Sequence, residues 1–174
     1  VRDHKNQMIA ICFIENIDAV GVHTGDSFCA APFLTIEKEL EERLKSIAFK
    51  IVESVGVIGG TNVQLAYNRK EDRIVIIEIN PRTSRSSALA SKATGFPIAL
   101  ISAKLAAGMS LDELPYWRDG SLEKYSPGGA PSGQYIVLKF ARWGFEKFNN
   151  IKDSLGTQMK AVGEVMAIGK TFKE

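Results

Sequence analysis

Glu78 stands inside the apolar run Ile74-Val75-Ile76-Ile77-Glu78-Ile79, and Asn80 closes it. A carboxylate in a buried strand of branched residues is costly unless it is paired or holds a cation. The stretch 61–80 reads as two strands around a polar turn. With the turn centred on Glu71, Asn68 opposes Ile74 and Gln64 opposes Glu78. Alternation along each strand then puts Val63, Leu65, Tyr67, Val75, Ile77 and Ile79 on one apolar face suited to a core. The other face carries Asn62, Gln64, Glu78 and Asn80. Cross-strand neighbours are close enough to converge on one small ion. Oxygen donors with a single carboxylate suit Mg²⁺, which keeps waters and completes its shell with phosphate. The polar face of a half-exposed sheet would also be hydrophilic, but it would commonly carry Lys, Arg or Thr, and this face has none. A slip of one residue would separate Gln64 from Glu78.

Arg82 and Arg85 follow Asn80 closely, and Ser86 and Ser87 open a helical stretch. Guanidinium forks and a helix N-terminus both suit anions such as phosphate or carboxylate. The serines would serve equally as simple caps. A cation site beside an anion site points to phosphoryl transfer. His23 lies in a glycine-flanked loop between Gly21 and Gly25, where a histidine is commonly just exposed. Neither His23 nor His4 has a partner at zinc-ligand spacing. No P-loop and no Gly-x-Ser-x-Gly nucleophile pattern occurs.

These side chains need elements to hold them. The run 8–16 reads as a buried strand, and 19–27 as a turn-rich loop. From Thr35 to Val55 the pattern is helical, with Leu40, Leu44, Ile47, Ala48, Ile51 and Val55 on one face, Thr35 as N-cap and Gly56 as stop. Helices over 86–94 and 97–107 break at Gly95-Phe96-Pro97. Residues 115–133 read as loop, 134–142 as a further strand, and the tail from Trp143 fits neither period clearly.

The 174 residues suffice for one domain with a core, and 45% hydrophobic with 24% charged residues is ordinary for a globular protein. The net charge of +2 argues against a nucleic-acid module that works by charge alone. Two cysteines, Cys12 and Cys29, are too few for a disulfide framework, and a reducing cytosol is the expected setting. No apolar run approaches a membrane span. The opening VRDHKNQMIA lacks an initiator Met and a signal-peptide layout, and reads as the interior of a longer chain.

The strings IENIDAVGVHTGDS, TNVQLAYN, IEINPRTSRSSALASKATGFPIA and TQMKAVGEVMAIGKTF closely resemble the large subunit of the carbamoyl-phosphate synthetase family, in its amino-terminal ATP-grasp half. The resemblance runs from about Val1 to Phe172. It implies an α+β fold, the carboxy-terminal lobe of an ATP-grasp domain: a largely antiparallel sheet covered by helices. On this resemblance residues 1–174 form part of that domain, with the lid and upstream subdomains outside them. The implied reaction is MgATP-dependent phosphorylation of bicarbonate to carboxyphosphate, which ammonia converts to carbamate on the way to carbamoyl phosphate.

Residue by residue, the resemblance makes Gln64, Glu78 and Asn80 the Mg²⁺ or Mn²⁺ ligands, with Gln64 and Glu78 also in the ATP site. It makes Gly21, Val22 and His23 the nucleotide-contacting loop. Arg82 and Arg85 match arginines near the transferred phosphoryl group and bicarbonate. Asn16 and Ser86 match positions of a monovalent cation such as K⁺. The resemblance also implies, as partners, the remainder of the large subunit and a glutaminase small subunit or equivalent ammonia source, in the cytoplasm, with no role for nucleic acid or membrane. Two segments depart from the family: 29–35 is one residue shorter, and 128–143 replaces a differently worded loop while keeping its strand. The alternatives are another ATP-grasp ligase, biotin carboxylase-like, or a non-catalytic lobe that docks on partner subunits. Residues 1–174 by themselves are expected to be inactive.

Overall fold

The computed structural model describes residues 1–114, 135–147, 150 and 152–174. The expected loop over 115–133 lies outside the described residues, as does most of the divergent segment before Tyr135. Strands β1 (Glu15–Asn16), β2 (Cys29–Ala31), β5 (Ile136–Trp143) and β6 (Ala161–Gly169) form a four-stranded sheet in the order β1-β2-β5-β6. A separate hairpin pairs β3 (Asn62–Asn68) with β4 (Arg73–Asn80). Every strand pair is antiparallel. Helices α1 (Lys38–Val55), α2 (Arg85–Thr94) and α3 (Ile98–Ala106) complete the α+β fold.

Helix α2 is amphipathic in a way that joins two cores. Its Leu89 and Ala93 are fully buried with Cys29, Ala31 and Val137 of the four-stranded sheet. Its Ala90 packs with Ile9, Ile11, Phe96 and the inner face of α3. Ser84 precedes the helix in extended backbone, and its N–H donates to Ser87 Oγ over 3.0 Å. Gly95 ends the helix in the left-handed region. Helix α1 stops at Gly56, whose φ of +74° lets its N–H reach back to Val52 and Glu53.

Several expectations are corrected. The run 8–16 is not one strand: only Glu15 and Asn16 enter a ladder, while Ile9 and Ile11 are buried in irregular backbone. Its apolarity comes from core packing against α3, which sequence cannot separate from strand pairing. Thr35 does not cap α1, which starts at Lys38 behind Glu37. Thr35 instead gives both its N–H and its hydroxyl to the Glu15 carboxylate. On α1 the buried residues are Leu40 and Val52, and Val55 is exposed. The ambiguous tail forms β6, which pairs with β5 along its length.

The hairpin register is as expected near its open end and shifted near its turn. Asn62 faces Asn80, Val63 faces Ile79 and Gln64 faces Glu78. A bulge follows, so Leu65 faces Ile76, Tyr67 faces Ile74 and Asn68 faces Arg73 rather than Ile74. One extra residue on β4 reverses its parity below the bulge. The apolar partners of Leu65 and Tyr67 are therefore Ile76 and Ile74, not Ile77 and Val75. Nor is β4 buried: Val75, Ile76, Ile77 and Glu78 are all exposed, so no apolar wall of β4 dries the carboxylate.

Candidate functional site

At the open end of the hairpin both amides aim at one carboxylate oxygen. Gln64 Nε2 donates to Glu78 Oε1 over 2.7 Å, and Asn80 Nδ2 donates to the same atom over 2.8 Å. The bond of Gln64 to Glu78 is possible because the register places them directly opposite, above the bulge. Nitrogens, rather than the expected oxygens, face the carboxylate, as the charge of an anion demands. A half-turn of a side-chain amide exchanges its oxygen and nitrogen in place. One carboxylate and two amides meeting at one atom, open to water, fit a small hard cation that retains part of its hydration shell. Among the described residues no group of three or more His, Cys, Asp or Glu could hold a metal, so a soft-ligand zinc site is not what this geometry resembles.

The loop after β1 faces this end of the hairpin. Gly21 sits at φ +111°, a conformation that disfavours any side chain. The His23 N–H donates to Gly156 O over 2.8 Å, and its Nδ1 accepts the Gly25 N–H over 3.0 Å. With Nδ1 accepting, Nε2 is the donor of the ring. Thr24 Oγ1 accepts a bond of 3.1 Å from Gln64 Nε2, joining loop to hairpin. Gly21, Val22, His23, Thr24, Gln64 and Glu78 all line a cavity of about 870 Å³ that extends to apolar residues of α1, including Leu44, Ala48 and Phe49.

Asn16 and Ser86 line the same cavity. Asn16 Oδ1 accepts the Cys29 thiol over 2.9 Å. Burial pushes the Cys29 thiol up from its ordinary value, against the opposing charge of Lys139, which keeps it a donor. Asn80, Arg82 and Arg85 stand outside the cavity wall. Arg82 is exposed and donates to Asn80 Oδ1 over 3.3 Å and to Thr83 O over 3.2 Å. Arg85 is the first residue of α2, and its Nη1 is buried without a hydrogen-bond partner among the described residues. A buried, unanswered guanidinium nitrogen has a donor left for an anion.

Sequence reading missed the residues that hold this loop. The buried Asp26 carboxylate accepts the backbone N–H groups of Lys160 and Ala161 over 2.6–3.0 Å, tying the loop to β6. Lys139 is 1% exposed, and its Nζ donates to Thr24 O over 2.8 Å. A signal for Lys139 was present: alternation along β5 puts it on the face of Val137 and Ala141, both buried. Thr24 and Asp26 gave no such signal, since a loop has no period.

Residues 1–114 match the family model described as carbamoyl-phosphate synthase L chain, ATP binding domain. The chain is 50% identical, over its whole length, to the carbamoyl phosphate synthase large chain of Thermotoga neapolitana, of which it spans 16%. It is 49% identical to the carbamoyl phosphate synthase large chain, N-terminal section, of Methanopyrus kandleri, and covers 100% of itself and 30% of that protein. Among solved structures, Rhizobium etli pyruvate carboxylase superposes with a TM-score of 0.64 at 15% identity, over 81% of this chain and 12% of that one. The biotin carboxylase domain of a single-chain bacterial carboxylase gives a TM-score of 0.54 at 12% identity, over 82% and 36%. These two likenesses show the fold, the carboxy-terminal lobe of an ATP-grasp domain, and no more. No helix among the described residues is long and apolar enough to cross a membrane. With a family model covering well over half of its residues, the chain belongs to the carbamoyl-phosphate synthase L chain, ATP binding domain family.

Proposed function

We propose that this lobe serves ATP-dependent phosphorylation of bicarbonate to carboxyphosphate, the first step of carbamoyl phosphate synthesis, in a large chain of the kind that its relatives are named for. The observation that carries the reading is the convergence of Gln64 and Asn80 on Glu78 Oε1, beside a cavity of about 870 Å³ faced by the Gly21–Thr24 loop. That volume lies within the usual range for small-molecule and cofactor sites. Its apolar lining from α1 suits a nucleoside, and its polar lining suits phosphates.

In this reading Glu78, Gln64 and Asn80 hold Mg²⁺ or Mn²⁺, which when bound neutralises charge on the phosphates. Gly21 and Val22 offer backbone to the nucleotide, and His23 offers its Nε2–H. Arg82 and Arg85 hold the anions: the transferred phosphoryl group and bicarbonate. A bicarbonate oxygen attacks the γ-phosphorus, the bond to the ADP oxygen breaks, and carboxyphosphate and ADP result. The protein supplies position and electrostatics and needs no nucleophile of its own. Asn16 and Ser86, which both line the cavity, would hold a monovalent cation such as K⁺. The remainder of a large chain, a glutaminase subunit as ammonia source, and a cytoplasmic setting complete the proposal. The identity of about half to large chains favours it over a biotin carboxylase-like ligase, since the two carboxylase structures named above match at 15% and 12%.

Bicarbonate-dependent ADP release by the intact protein tests the reading. Glu78→Gln removes the only carboxylate of the cluster and is expected to abolish that release while the fold persists. Activity at the wild-type level would refute the proposal.

A further inference from the structure

The Gly21–Ser27 loop and the hairpin meet at Thr24, and Thr24 is held from below. Its hydroxyl accepts Gln64 Nε2 over 3.1 Å, and Gln64 Nε2 also donates to Glu78 Oε1 over 2.7 Å. Its carbonyl accepts Lys139 Nζ over 2.8 Å. Lys139 rises from the middle of β5, between Val137 and Ala141, and is 1% exposed. Its ammonium also reaches the Cys29 thiol, which in turn donates to Asn16 Oδ1 over 2.9 Å. One buried cation thus sits under two routes to the site, one through Thr24 to Gln64, the other through Cys29 to Asn16. A buried ammonium is expensive to keep without a task. A well-packed apolar side chain would commonly serve stability as well or better.

We propose that Lys139 is a positioning residue for the nucleotide and divalent-cation site, acting through Thr24, which sets the side-chain amide of Gln64 against Glu78. The inference rests on the function proposed above. Lys139 lies beyond residue 114, where the family match ends, so β5 of the four-stranded sheet takes part in building the site rather than only supporting it. Thr24 acts in two directions at once: its backbone is fixed by the sheet, and its hydroxyl fixes the hairpin. Partners that orient a metal ligand typically change metal affinity by about 10–100-fold when removed.

The test uses Mn²⁺ with ADP as probe and reads the Mn²⁺ dissociation constant of the intact protein by electron paramagnetic resonance, well below the melting temperature. Lys139→Met keeps the stem's bulk and removes the ammonium, and should weaken Mn²⁺ binding about tenfold. Thr24→Val removes the hydroxyl and leaves the carbonyl, and should weaken it several-fold, whereas Thr24→Ser should bind as wild type. In the double variant Lys139→Met with Thr24→Val, the losses should be less than additive, because both act on Gln64. If Lys139→Met does not fold, the Thr24 pair decides: equal binding by Thr24→Val and Thr24→Ser overturns the inference. A folded Lys139→Met with wild-type affinity and only a changed melting temperature also overturns it. Glu78→Gln separates the two levels. Mn²⁺ binding that responds to Glu78→Gln but not to Lys139 or Thr24 variants overturns this inference alone. Binding indifferent to Glu78→Gln overturns the proposed function and this inference with it.

Discussion

Each end of the β3–β4 hairpin carries an exposed carboxylate, and the two are answered differently. At the turn, Asp72 accepts the Arg43 guanidinium over 2.7 Å and the Tyr67 hydroxyl over 3.0 Å. At the open end, Glu78 accepts two neutral amides through one of its oxygens. Among the described residues Glu78 makes no ion pair, whereas Asp72 does. The Arg82 guanidinium donates to Asn80 and not to Glu78 itself. Arg43 from α1 thus supplies at the turn the positive charge that the open end does not receive from its own neighbours. A carboxylate oriented by neutral donors keeps its charge for an outside cation, while one closed by arginine is spent on tying a turn to a helix.

The sharpest way to break this comparison is to make the same change at both ends. Glu78→Gln should lower Mn²⁺ affinity in the presence of ADP by more than about 100-fold. Its melting temperature should stay near that of wild type, because an exposed carboxylate facing amides adds little to folding. If Asp72→Asn produced the larger loss of Mn²⁺ binding, the assignment of roles to the two ends would be reversed.

A second test concerns the anion side. Arg85→Lys replaces a fork of donors by a point charge. Turnover in the intact protein should fall by about tenfold or more, and the melting temperature should change little. A sharp drop in melting temperature with activity intact would make Arg85 a structural residue of the α2 start.

A third test measures how far the open end can act by itself. Glu78 and Arg82 are exposed, and exposed charges are screened. Residues 1–174 alone should bind MgATP no tighter than roughly millimolar, about 4 kcal/mol. Calorimetric titration checks this, and bicarbonate-dependent ATP hydrolysis by that polypeptide should be nil. A micromolar dissociation constant would show that this lobe suffices for tight binding.

The smallest effect is expected at the turn. The Arg43 hydrogen bond, then that of Tyr67, holds the Asp72 carboxyl below its usual value. A carboxylate lowered on folding adds stability that is full above its unfolded pKa, near about 3.9, and is lost as pH falls through the folded value. Asp72→Asn should therefore lower the melting temperature by about 1–2 °C at neutral pH and by less in acid, since the pair is exposed. A difference that grows as pH falls would contradict this sign.

Much of the site was legible because its logic is local. A hairpin is fixed by a short turn and by side-chain alternation, so the pairing of Gln64 with Glu78 and of Asn62 with Asn80 followed from spacing. The helices expected over 86–94 and 97–107 appear as α2 and α3 with ends within one residue, because Ser86, Ser87, Gly95 and Pro97 act locally in the same way. The bulge on β4 was not legible, because alternation is read on the assumption that no residue is skipped. The strand reading of 8–16 failed because a buried irregular segment and a buried strand are equally apolar.

The sequence by itself determined that Asn62, Gln64, Glu78 and Asn80 share one face at the open end of the hairpin, since above the bulge that needs only the two-residue period of a strand and the position of a turn. The tertiary structure alone decided what surrounds them. It brought Thr24 to Gln64 from 40 residues away, Lys139 to Thr24 from 115, and Asp26 to Lys160 from 134. Such contacts obey no local period, because they depend on how β5 and β6 pack beneath a loop far from them in the chain.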